Sequence, residues 1–138
     1  MRELPGQLTR QELEELFSGP STLVSVLAET VDPLGRAEEI ALDLEDEDKI
    51  EALAAHPRIG EPSPEQHGGD AAVLTELAYL NQVYEEKFGF RFVVFVAGRP
   101  RHELLEVLRD RLANAREEEL ENGIRELVAI AQDRWRSR

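Results

Sequence analysis

Apolar residues recur at helical spacing through most of the chain. Leu13, Leu16 and Phe17 form one stripe, Leu23, Val24, Leu27 and Val31 a second, and Ala37, Ile40, Ala41 and Leu44 a third; Ile50, Leu53 and Ala54 mark a fourth helix. Val73, Leu74, Leu77, Leu80, Tyr84 and Phe88 follow the 3.6-residue period of a longer helix, Leu104, Leu105, Leu108 and Leu112 that of a sixth, and Leu120, Ile124, Leu127, Val128, Ala131 and Trp135 that of the longest, about Arg116 to Trp135. Start and stop signals bracket these stripes. Thr9 and Glu12 have the capping-box spacing, Ser18-Gly19-Pro20 ends the first helix, and Ser21 or Thr22 caps the second. Asp32-Pro33-Leu34-Gly35 reads as a turn, so the third helix is expected over about Arg36 to Leu44. Asp46 or Asp48 can cap the fourth and Asp70 the fifth, while Gly89 falls where a left-handed C′ residue belongs.

One stretch breaks the period. Phe90-Arg91-Phe92-Val93-Val94-Phe95-Val96 has the β-branched and aromatic content of a buried strand. No second strand exists to pair with it, and an unpaired strand leaves its ladder groups unsatisfied. The reading is therefore an extended or tightly turned segment inside a helical shell, its aromatic rings in the core and its backbone groups available to another partner. The fold class expected is all-α: a single domain over residues 1–138, a bundle of about seven helices without a true β-sheet.

Composition narrows the function. With 41% hydrophobic and 33% charged residues the chain suits a helical globular protein, and its formal charge of −13 disfavours phosphate backbones and anionic lipid. No nucleic-acid or membrane partner is expected; a small anionic substrate is compatible if a local arginine outweighs the global field. The absence of cysteine removes thiolate chemistry and sulfur-bound zinc. Met1-Arg2-Glu3-Leu4-Pro5 does not resemble a secretory signal, and no apolar run reaches about 18 residues, so the cytoplasm is the expected location.

Candidate chemistry concentrates in His56-Pro57-Arg58-Ile59-Gly60 and the following Ser63-Pro64-Glu65-Gln66. A proline bars the preceding residue from helical backbone angles, so His56 should end the fourth helix on a stiff backbone, which suits an acid–base imidazole. The alternative is a solvated proline-rich loop. A metal site from His56, His67 and Glu65 is not expected, because the two histidines are eleven residues apart with prolines between them. Ser63 lacks the G-x-S-x-G context of a serine hydrolase, and Gly68-Gly69 lacks the G-K-[ST] of a phosphate loop. His102 is expected to be exposed, and Arg134 to lie toward solvent unless something anionic sits near it.

Ala55-His56-Pro57-Arg58-Ile59-Gly60, the Ser63…Glu65-Gln66 element, and Leu80-Asn81-x-x-Tyr84-x-x-x-Phe88-Gly89-Phe90-x-Phe92-Val93-Val94 together resemble the OHCU decarboxylase family. These are the 2-oxo-4-hydroxy-4-carboxy-5-ureidoimidazoline decarboxylases of the urate-to-allantoin pathway. The resemblance implies an all-α, cofactor-independent and metal-free carboxy-lyase forming (S)-allantoin from a small-molecule substrate, usually as a homodimer. Residue by residue it implies His56 and Glu65 as catalytic groups and Pro57, Ser63, Gln66, the backbone at Val93 and Val94, and Arg134 as substrate contacts. A catalytically silent helical module of the same fold, or a decarboxylase of another ureido-imidazoline compound, are the alternatives.

Overall fold

A computed structural model describes residues 3–58 and 71–138. These contain seven helices and no strand: α1 (Arg10–Leu16), α2 (Thr22–Leu27), α3 (Pro33–Leu42), α4 (Asp46–Ala55), α5 (Ala71–Phe88), α6 (Arg101–Arg111) and α7 (Arg116–Arg136). Thr9 and Glu12 make the reciprocal capping box at α1, and the Ser21 hydroxyl accepts from the Val24 amide at α2. Gly89 adopts φ +80, the left-handed conformation that ends α5. None of the described helices is long and apolar enough to cross a membrane.

The longest helix organises the others. α7 packs against α1, α3 and α4, while α5 pairs with α6 and α2 bridges α1, α3 and α4. Leu120, Ile124, Leu127, Val128 and Ala131 are buried along α7, the face its periodicity predicts. Gly123 lies on the same face, and a Cβ there would stand 3.3 Å from both methyl carbons of Leu53. The missing side chain lets α7 approach α4 closely, and the end of α4 carries His56.

The segment after α5 is extended but unpaired as a strand. Phe88, Phe90 and Phe92 are buried around Tyr84, with ring centroids 4.6, 5.9 and 5.1 Å from its ring. Arginine side chains replace the missing ladder. Arg116 Nε donates to the Phe88 carbonyl at 2.8 Å, Arg111 Nη1 to the Val93 carbonyl at 2.7 Å, and Arg99 Nη2 to the Phe95 carbonyl at 2.5 Å. The Phe95 amide in turn donates to Glu126 Oε1 on α7.

Glu119, fully buried, ties this segment to the helices. Its carboxylate accepts from Tyr84 Oη (2.6 Å), Arg111 Nε (2.7 Å), Asn114 Nδ2 (2.8 Å) and Asn122 Nδ2 (2.9 Å). The Arg111 guanidinium also lies over the Phe92 ring at 4.6 Å. Burial pushes the Glu119 carboxyl up, but donation from Tyr84, Asn114 and Asn122 together with the Arg111 charge outweighs it and holds the group below its ordinary value. Burial and donation to Glu119 push the Tyr84 phenol up.

The structure corrects several local expectations. Val31 lies beyond the end of α2 and is 65% exposed. Proline is suited to a first helical turn, and Pro33 stands there, so α3 begins three residues before the expected Arg36 and ends at Leu42. Neither Asp46 nor Asp48 caps α4; both lie inside its first turn after Glu45, where negative charge complements the helix dipole. Ala52 is buried on α4 and Ala54 is exposed. Asp70 lies outside the described residues.

Breaking a buried ion pair by neutralising one partner costs about 3–5 kcal/mol, because the other charge stays buried. Glu119→Gln is therefore expected to lower stability by roughly that amount at neutral pH, measured by denaturant unfolding. Because the folded state holds Glu119 below its ordinary value of 4.5, the carboxylate's contribution is present above that pH and is lost as pH falls through the depressed value. The gap between wild type and Glu119→Gln should accordingly narrow in acid.

Candidate active site

His56 is the C-cap of α4, and its backbone leaves the helix with φ −80 and ψ 139, the extended conformation that Pro57 imposes. Its amide still donates to the Leu53 carbonyl at 3.2 Å, so the helix holds it from one side and the proline from the other. The side chain is buried, with 6% exposure, which is low for a residue at a helix end. Arg91 secures the corner from outside. Its Nη1 donates to the Ala54 carbonyl at 2.8 Å and to the His56 carbonyl at 2.7 Å. These are terminal helix carbonyls with no intrahelical partner, and a cation is suited to them by charge and by hydrogen bonding.

Ser18 brings the last helix to this corner. His56 Nδ1 lies 3.4 Å from Ser18 Oγ, and Arg134 Nη1 donates to the same oxygen at 2.8 Å and to the Leu16 carbonyl at 3.0 Å. Arg134 is thus half-buried and directed inward. Its guanidinium turns inward rather than toward solvent, and the end of α1 supplies two of its acceptors, a carbonyl and a hydroxyl. Residues 38 and 116 positions from Ser18 in sequence meet at one hydroxyl.

Val93 and Val94 are both buried in the extended segment. The Val93 carbonyl is taken by Arg111, but no protein hydrogen bond among the described residues engages the Val93 amide or either backbone group of Val94. Buried backbone groups in this condition call for a partner. Pro57 is half-buried beside His56, and Arg58 forms a two-pronged pair with Glu85 of α5 at 2.7 and 3.1 Å. His102 is exposed on α6, as expected. Ser63, Glu65, Gln66 and His67 lie outside the described residues. Among the described residues no group of three or more His, Asp or Glu is arranged to hold a metal ion.

Two residues of this corner escaped the sequence reading. Arg91 was hidden in an apolar run, where its only signal was its being the one charge among aromatic and β-branched neighbours. Ser18 read as part of a helix stop, a role that small polar residues fill routinely.

Fold and site together define an all-helical protein with a buried imidazole at a proline-terminated helix end and a guanidinium delivered to it by the last helix. Comparison with known proteins makes the class specific. The model of the OHCU decarboxylase family matches residues 3–136, and the chain belongs to that family. The uric acid degradation bifunctional protein TTL of Arabidopsis thaliana is 35% identical over 102 residues, covering 62% of this chain and 32% of that protein. The chain thus spans about a third of that relative's length. The 2-oxo-4-hydroxy-4-carboxy-5-ureidoimidazoline decarboxylase of Halalkalicoccus jeotgali is 27% identical over 141 residues, covering 94% of this chain and 74% of that protein. A crystal structure of OHCU decarboxylase in the presence of (S)-allantoin superposes with a TM-score of 0.79 at 29% identity, covering 89% of this chain and 94% of that one.

Arg91→Ala removes two hydrogen bonds from a charged donor to helix-terminal carbonyls. It should lower stability by about 1–2 kcal/mol in denaturant unfolding, and amide exchange should accelerate selectively in the last turn of α4.

Proposed function

We propose that this chain catalyses the cofactor-independent decarboxylation of 2-oxo-4-hydroxy-4-carboxy-5-ureidoimidazoline to (S)-allantoin, acting as a carboxy-lyase of urate breakdown. The observation that carries the reading is the buried, proline-fixed His56 joined through one hydroxyl to Arg134, in a chain whose family match runs from residue 3 to residue 136.

The chemistry asks for few parts. The electron pair of the C–CO₂ bond passes into the ring C=N of the imidazoline as CO₂ leaves. The hydroxyl-bearing carbon then becomes the product's carbonyl, and the neighbouring carbon gains a proton on one face. The former imine nitrogen also gains a proton while the hydroxyl gives one up, so that one proton is taken up overall for each carboxylate lost as CO₂. An imidazole held in place can relay protons between these positions, and such positioned transfer contributes roughly 10²–10⁴-fold. His56 fills that role, with Glu65 as its proposed acidic partner. Arg134 supplies positive charge to the anionic substrate, in a chain whose net charge of −13 would otherwise repel it. The unengaged backbone groups of Val93 and Val94 suit the alternating N–H and C=O edge of a ureido or hydantoin group. Pro57, Ser63 and Gln66 complete the proposed substrate contacts. The same reading has the enzyme working as one domain over residues 1–138, as a homodimer in the cytoplasm.

Generating the unstable substrate in situ from urate and following optically active allantoin by circular dichroism tests the activity. The wild-type chain should accelerate formation of the S enantiomer. Kinetics no different from spontaneous, racemic decay would instead identify a silent helical module. His56→Gln should reduce kcat by about 10²–10⁴-fold while leaving the helical far-UV spectrum intact. Sedimentation equilibrium separates dimer from monomer.

A further inference from the structure

Ser18 is an anomaly that the fold does not require. It follows the C-terminal end of α1 with φ 69, a left-handed conformation that disfavours any side chain with a Cβ and is normally left to glycine or asparagine. The neighbouring Gly19 has φ 152, and a Cβ placed on it would make only ordinary contact, 3.7 Å from the Ala55 side chain. The Ser18-Gly19 turn is therefore seated on the last residue of α4, directly before His56. A glycine at 18 would relax the backbone, yet the position carries a hydroxyl, and that hydroxyl is the point where His56 and Arg134 meet.

The bonding there has a definite direction. A guanidinium only donates, so Ser18 Oγ must accept from Arg134 Nη1 at 2.8 Å. The hydroxyl has a single proton of its own, and among the described residues His56 Nδ1, at 3.4 Å, stands ready to accept it. A neutral His56 that accepts at Nδ1 carries its proton at Nε2, so the Arg134→Ser18→His56 chain selects one tautomer. It also couples the position of the substrate-facing cation to that of the imidazole. We infer that Ser18 is a positioning residue, which fixes His56 in its Nε2-protonated form and sets its register to Arg134. This rests on the proposed role of His56 and adds a residue through which that role is set.

The test separates hydroxyl from backbone. Ser18→Gly removes the hydroxyl and relieves the left-handed strain, whereas Ser18→Ala removes the hydroxyl and keeps the strain. Both should lose about 10–100-fold in kcat, the range associated with groups that orient an imidazole, with a smaller change in KM. Ser18→Gly should melt at or above the temperature of Ser18→Ala, so that the loss of turnover does not track stability. Nitrogen-15 NMR of the histidine rings, assigned with His56→Gln, should show neutral His56 as the Nε2–H tautomer in the wild type and a mixture in both variants. Wild-type turnover in folded Ser18→Gly overturns the inference, as does an unchanged tautomer in that variant. The tautomer measurement needs no substrate. A wild type that fails to accelerate (S)-allantoin formation would therefore dispose of the proposed activity, while the NMR result still decides what Ser18 does.

Discussion

The structure depends on a carboxylate that has been taken wholly out of water. Glu119 is stable there because four donors from different parts of the chain converge on its two oxygens, and one of them is a cation. Tyr84 belongs to α5, Arg111 to α6, and Asn114 to the link between α6 and α7. The acceptor itself lies in the first turn of α7. Satisfying this one group brings three helices into register, and Arg111 passes the constraint on to the Val93 carbonyl. Buried ion pairs contribute little net stability over an apolar isostere, but they penalise alternative arrangements heavily. Its role here is to specify which arrangement of α5, α6 and α7 the apolar stripes adopt.

Guanidinium groups recur in this protein at several places where main-chain polarity is left over. Arg99 and Arg111 take carbonyls of the extended segment, Arg116 that of Phe88 at the end of α5, Arg91 those at the end of α4, and Arg134 that of Leu16 at the end of α1. A planar donor with five N–H groups can serve two acceptors at once, as Arg91 does. An all-helical fold can in this way hold a β-like segment without a sheet, with part of that segment's backbone unengaged among the described residues.

The site inherits its geometry from the same economy. α4 ends where Pro57 requires, α7 comes close because Gly123 has no side chain, and the turn after α1 brings Ser18 to both. None of these elements carries chemistry alone. Their convergence places an imidazole, a hydroxyl and a guanidinium in one line, and that line is what an acid–base reaction on an anionic substrate can use.

Much of this was legible in the chain before any coordinates. The seven apolar stripes, the capping box at Thr9, the C-terminal glycine at 89 and the proline after His56 act over a few residues, and their effects do not depend on what packs against them. The all-α class and the candidate histidine followed from them, and the motifs around His56 and Phe88 to Val94 carried the family. Tertiary structure alone decided the rest. It turned Arg134 inward, gave Arg91 its carbonyls, assigned arginines rather than a strand to Phe90 through Val96, and set Ser18 between His56 and Arg134. The physical reason is distance along the chain. A local signal fixes backbone angles within a turn or two, whereas a hydrogen bond between residues 18 and 134 exists only after the whole core has placed both ends of it.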